Sequence, residues 1–171
     1  MDTEKREKSG KSIGVAANLG IILVAAACVF FLAKKHMHDG SSTRHAISIG
    51  TRFSLTNVNW QSSEKNLVLA LSTGCQFCTE SSGFYRALLD ECRRWHVRTI
   101  AVLPQPNREA KFYLQNQGVI VDEIQQAALP DLDISATPTL LLIDTRGIIK
   151  NIWIGKLPSE KEREVIAKLT S

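Results

Sequence analysis

Cysteine is scarce in this 171-residue sequence: there are four, Cys28, Cys75, Cys78 and Cys92, and only Cys75 and Cys78 lie close together. So few, so unevenly placed, exclude a small fold held by a cystine framework. Internal repeats and low-complexity tracts are absent, and an apolar content of 44% excludes a disordered chain. A net basic excess is missing from the body of the chain as well. Of the formal net charge of +4, residues 1–35 supply +3, through six basic side chains (Lys5, Arg6, Lys8, Lys11, Lys34, Lys35) against three acidic ones (Asp2, Glu4, Glu7). The remainder is nearly neutral and has no stripe of Lys and Arg interleaved with aromatics, so a nucleic-acid partner is not expected.

What is present begins with "IGVAANLGIILVAAACVFFLA", Ile13 to Ala33, which holds no charge and one amide, Asn18. Such a run is long enough to cross a bilayer core as a helix, whereas a helix buried in a globular core is usually shorter and amphipathic. The expected organisation is a cytoplasmic tail over 1–12, a transmembrane anchor over 13–33, a polar tether over 34–50 and a folded domain over 51–171. Basic residues before the span favour a cytoplasmic amino terminus, which places the domain outside the inner membrane of a bacterium, in the periplasmic space. Cleavage of the segment, or lipidation at Cys28 at the end of "VAAAC", would send the domain to the same side, and the apolar residues that follow Cys28 favour an uncleaved anchor. His36, His38 and His45 fall in the tether and lack the fixed geometry of a metal site.

Within the domain, "RFSLTNVNW" reads as a short strand pair or an extended lead-in. "KNLVLALS" (Lys65 to Ser72) and "VRTIAVLP" (Val97 to Pro104) are short apolar runs with the character of buried strands. "SSGFYRALLDECRRW" places Phe84, Leu88, Cys92 and Trp95 at helical spacing. "NREAKFYLQNQG" predicts a helix capped by Asn107 and stopped by Gly118, and "VIVD" (Val119 to Asp122) a third strand. "TLLLID", "TRG" and "IIKNIWIG" predict a hairpin with Gly147 in its turn, and "PSEKEREVIAKL" a closing helix with Pro158 at its first turn. The order predicts an α/β domain with a mixed central sheet flanked by helices on both faces.

The pair in "STGCQFCTE" then stands where a strand ends and a helix begins. Unpaired amides at that helix start favour thiolate over thiol at Cys75. Cys78 lies one turn on, less exposed and within reach of a disulfide, so Cys75 is the expected attacking nucleophile and Cys78 the resolving thiol. Thr79, in place of a histidine, argues against haem attachment. A zinc site would need Cys92 and His96, yet one rigid helix would set Cys92 about 21 Å from Cys78. Neither a metal nor another cofactor is expected. A disulfide of purely structural role stays open.

"LVLALSTGCQFCTE", the long helix after it, "ISATPTLLLIDTRGIIKNIWIG" and the amino-terminal anchor together resemble membrane-tethered thioredoxin-like proteins of the TlpA/ResA kind, over nearly all of residues 50–171. The resemblance implies a thioredoxin-like fold, a cis Pro138 facing the cysteines, and a Thr137 backbone that pairs with an extended segment of a partner protein. It implies exchange of the Cys75–Cys78 dithiol and disulfide with oxidised or reduced client proteins; because the space outside the membrane favours disulfides, the expected direction is reduction of clients with re-reduction by a membrane electron donor, and direct oxidation of client thiols is the other direction. Two departures stand out: Gly74 replaces the tryptophan that many relatives carry, and Leu69 occupies the position of thioredoxin's buried acid. Glu80 is the nearest candidate for proton transfer. The other readings are a peroxiredoxin-type thiol peroxidase using Cys75 and a thioredoxin-like copper-binding chaperone.

Overall fold

Apolar runs too short for helices become the three central strands of a single sheet. The computed structural model describes residues 47–170, so the tail, the anchor and most of the tether lie outside the described residues. Among the described residues no helix is long and apolar enough to cross a membrane. Residues 47–50, assigned to the tether by sequence, already bond to the domain: the Ile47 amide donates to Asp133 O (3.4 Å) and the Gly50 amide to Ile149 O (2.8 Å).

Five strands, β1 (Lys65–Ala70), β2 (Arg98–Leu103), β3 (Glu123–Gln126), β4 (Thr139–Asp144) and β5 (Ile149–Ile154), are ordered β3-β2-β1-β4-β5. β1 runs parallel to β2 and antiparallel to β4, with Val68 opposite Ile100 and Leu141. β2–β3 is parallel and β4–β5 antiparallel, which makes the sheet mixed. The α-helices are α1 (Gln76–Glu80), α2 (Ser82–Arg94), α3 (Asn107–Asn116) and α4 (Ser159–Thr170). Alternation along the strands divides the core. Leu67, Leu69 and Leu71 pack with helix residues Cys78, Leu88, Leu89, Leu114, Val165 and Leu169 on one face. Val68, Ala70, Ile100 and Leu141 pack on the other face with Phe53 and Trp60 of the lead-in and with Leu129, Leu132 and Ile134. The helical cover of that second face is therefore slight, two 3-10 turns at Trp60–Ser62 and Leu129–Leu132.

Four expectations of the sequence are corrected. The predicted long helix is two helices that meet at Ser81, whose backbone (φ −84°, ψ 0°) ends α1 and starts α2. The face carrying Trp95 is wrong at that residue: α2 stops at Arg94, His96 turns the chain with φ 54°, and Val97 enters the core in its place, leaving Trp95 54% exposed. The buried face of α2 is formed instead by Tyr85, Leu88, Leu89 and Cys92. Asn107 is the first residue of α3 rather than its cap, since Pro106 occupies the cap position without a side-chain bond. β3 begins at Glu123, after the predicted "VIVD". Gly118 (φ 65°) drops Val119 into the core, Ile120 is left 71% exposed, and the Asp122 carboxylate accepts the Thr99 amide (2.7 Å) before parallel pairing starts.

The predicted hairpin stands as β4–β5. Gly147 has φ 79° and a Cβ there would come within 3.0 Å of the Trp60 ring, so both conformation and packing require glycine. Asp144 fixes the turn by accepting the amides of Arg146 and Ile148, each at 2.9 Å, with Lys150 Nζ at 3.2 Å. Partial burial pushes its carboxyl up, but the Ile148 and Arg146 amides and Lys150 outweigh it and hold the pKa at about 2. A depressed carboxyl stabilises the fold above its unfolded pKa, about 3.9, and that contribution, about 2 kcal/mol, is lost as the pH falls through the folded value. Asp144→Ala is expected to cost about that much at pH 7 and to flatten the fall in stability between pH 4 and 2; urea unfolding of both proteins across that range is the check.

Candidate active site

The end of β1 and the start of α1 bring the two cysteines together. After Leu71, whose amide still bonds to Val102 O (2.9 Å), the chain leaves the sheet, and the Cys75 amide donates back to Ser72 O (3.1 Å). Cys75 takes the cap position of α1 with extended backbone (φ −89°, ψ 109°). Its Sγ accepts the Cys78 amide at 3.1 Å. Cys75 and Cys78 are joined as a disulfide with their Cα atoms 5.2 Å apart.

The two sulfurs are unequal. Cys75 is half-buried, while Cys78 is 1% exposed and belongs to the core with Leu88 and Tyr85. A small thiol reagent approaching from solvent would therefore meet Cys75 first. α1 has five residues and supplies little macrodipole of its own. The group that favours negative charge on Cys75 is the specific Cys78 N–H, already directed at the sulfur. Cys92 is different: it is fully buried, desolvation pushes its thiol up to about 12, and it takes no part in this chemistry.

The loop before β4 closes the site from the other side. The Thr137–Pro138 peptide bond is cis, and Thr137 O lies 3.4 Å from Cys75 Sγ. Pro138 is buried and its carbonyl accepts the Gly155 amide at 2.7 Å, which ties this loop to the end of β5. Thr139 Oγ1 donates to Ala136 O (2.8 Å) and fixes the turn between them. The fold thus gathers Cys75, Cys78, Thr137 and Pro138 at one end of the sheet.

Glu80 stands apart from that group chemically. Its carboxylate accepts Lys156 Nζ and Gln76 Nε2, both at 2.7 Å, and Lys156 first, then Gln76, lowers its pKa below the usual carboxylate range. It is an ionised partner of Lys156 near neutral pH, poorly suited to give a proton to Cys78. Leu69, at the position of thioredoxin's buried acid, is fully buried among apolar neighbours. Among the described residues no cluster of His, Cys, Asp and Glu is arranged to hold a metal.

Sequence reasoning missed the polar collar of the cysteine turn. Gln105 Oε1 accepts the Thr73 amide (3.3 Å) and its Nε2 donates to Ser72 Oγ (3.1 Å). Thr73 Oγ1 donates to Glu109 (2.9 Å), and Thr79 Oγ1 shares a hydrogen bond with Tyr113 OH (3.2 Å). These partners lie more than thirty positions from the turn, and the only local sign of them is a glutamine set between Pro104 and Pro106.

Neither a protein-family model nor a curated protein matches the sequence. Solved structures do match, at the level of fold. The thioredoxin domain of a thiol-disulfide oxidoreductase from Bacteroides vulgatus superposes with a TM-score of 0.58 at 12% identity, over 74% of this chain and 100% of that one. A protein crystallised as a thiol:disulfide interchange protein of the DsbE type, from Chlorobium tepidum, gives 0.58 at 14% identity over 74% and 100%. A peroxidoxin, BcpB, from Mycobacterium tuberculosis gives 0.52 at 12% identity over 65% and 81%. The domain has the thioredoxin-like fold.

Proposed function

We propose that this chain is a membrane-tethered thiol-disulfide oxidoreductase that exchanges its Cys75–Cys78 pair with extracytoplasmic protein partners, working as a reductant. One observation carries the reading: a half-exposed sulfur that accepts the Cys78 amide at 3.1 Å, bonded to a buried sulfur, with Thr137 O 3.4 Å away on the cis-proline loop. In the reduced domain the Cys75 thiolate attacks one sulfur of a client disulfide and displaces the other as a thiolate, which takes up a proton. Cys78 then loses its proton and attacks Cys75 Sγ. The client leaves as a dithiol, having gained two electrons and two protons, and the domain is left with the disulfide seen here. Return to the dithiol needs a second reductant, for which a membrane electron donor is the reading in keeping with the apolar segment at 13–33. An oxidising space outside the membrane is where such delivery of electrons is needed.

Replacing Cys78 with Ser removes the resolving thiol and is expected to trap the client on Cys75. Membrane fractions carrying the full-length variant should yield discrete adducts that thiol reductants release and that the Cys75→Ser, Cys78→Ser double variant lacks. Absence of adducts, with no reduction of insulin by the wild-type protein, overturns the reading.

Peroxide reduction is the second reading, favoured by the likeness of the fold to the mycobacterial peroxidoxin. In that case Cys75 would be oxidised by peroxide to a sulfenic acid and Cys78 would condense with it, releasing water and forming the same disulfide. Rapid peroxide consumption by the reduced full-length protein, with no exchange with protein disulfides, would select it.

A further inference from the structure

The turn Ser72–Gly74 carries Cys75 and has little of its own to hold it. A Cβ built on Gly74 meets nothing within 4 Å, so one side of the turn is open. Its restraint comes from the connection between β2 and α3, where Gln105 is half-buried between two prolines that fix the local backbone. The side-chain amide of Gln105 is used at both ends, as acceptor for the Thr73 amide (3.3 Å) and donor to Ser72 Oγ (3.1 Å). Ser72 in turn receives the Cys75 amide on its carbonyl (3.1 Å). Two hydrogen bonds therefore lead from Gln105 through Ser72 to the backbone of the reactive residue, and a third holds Thr73 between them.

We propose that Gln105 is a positioning residue that tunes Cys75 by clamping the turn before it, so that Cys75 Sγ stays aligned with the Cys78 amide. The inference deepens the oxidoreductase reading and rests on it for its meaning in exchange. Loosening the clamp lets the sulfur drift from its donor, which costs the thiolate more than the disulfide. The reduced state is then less favoured and the domain becomes more reducing. The charged groups near the turn stay in place: Glu109 still accepts Thr73 Oγ1, and Glu80 still pairs with Lys156.

Gln105→Met keeps the length of the side chain and removes both hydrogen bonds. In the full-length protein it is expected to shift the equilibrium with glutathione toward the domain disulfide by about threefold to tenfold, the range of one weakened hydrogen bond to a charged sulfur. It should also raise the pH midpoint for alkylation of Cys75 by iodoacetamide, with the melting midpoint of the oxidised form within about 3 °C of wild type. Asn107→Ala, two residues on, should change none of these. Ser72→Ala removes one arm of the clamp and should shift both readouts in the same direction by less; it decides the matter should Gln105→Met fail to fold. Wild-type values for both readouts in Gln105→Met, or in Ser72→Ala if that is the one that folds, overturn the proposal, as does an equal shift in Asn107→Ala. The alkylation midpoint needs no exchange activity, so a wild-type protein that never equilibrates with glutathione would sink the oxidoreductase reading while leaving the role of Gln105 to be judged separately.

Discussion

Cys75→Ser is expected to lower thiol-disulfide exchange by more than about a thousandfold, because a serine hydroxyl is almost wholly protonated near neutral pH and cannot form the mixed disulfide. The same substitution should barely affect the fold. Cys75 is half-buried at the surface end of the sheet, and the 3-residue separation of its disulfide closes too small a loop to restrict the unfolded chain strongly. Activity measured as insulin reduction should vanish while the unfolding midpoint moves by little. The reverse pattern, retained activity with a lower midpoint, would make the disulfide structural.

Leu69→Asp is expected to have the largest effect on stability. Leu69 is fully buried on the sheet face that carries Cys78, Leu88 and Leu114, within an apolar cluster. An uncompensated buried charge costs about 3–5 kcal/mol, a large share of the roughly 5–15 kcal/mol that stabilises a domain of this size. Burial raises such a carboxyl's pKa, so the charge-dependent part of the penalty is small below the unfolded value of about 3.9 and grows as the pH rises toward the folded value, adding to the loss of leucine packing that is present at every pH. Leu69→Ala, by contrast, should cost about 2–5 kcal/mol at every pH. Urea unfolding at pH 4 and pH 7 separates the two, and an aspartate variant whose loss is the same at both would show that the position is wetter than the packing indicates.

The sequence made the strands that build the site legible for a physical reason. β1, β2 and β4 are buried on both faces, so each is a nearly unbroken apolar run. The turn glycine at 147 and the two-cysteine spacing are equally local signals. β3 escapes the sequence because an edge strand of composition EIQQ carries no apolar signature, while the apolar Val119 and Ile120 just before it serve a helix end and the surface. Helical spacing groups Trp95 with Phe84, Leu88 and Cys92 because periodicity cannot see that His96 turns the chain. The break at Ser81 is equally invisible to side-chain spacing, for the backbone departs from the helix at a single residue. The contacts around the cysteine turn depend on side chains brought together by the parallel pairing of β1 with β2, and only the fold reveals them.

These results reduce to a difference between two sulfurs, one at the surface with an amide aimed at it and one beneath. Reducing the full-length protein and alkylating it with iodoacetamide over a range of pH, with the modified residue identified by mass spectrometry, reads that difference directly. Cys75 is expected to react first, with a midpoint well below the value of about 8.5 for an ordinary cysteine. Reaction at Cys78 before Cys75, or a Cys75 midpoint at or above that of free cysteine, would contradict the assignment of nucleophile and resolving thiol.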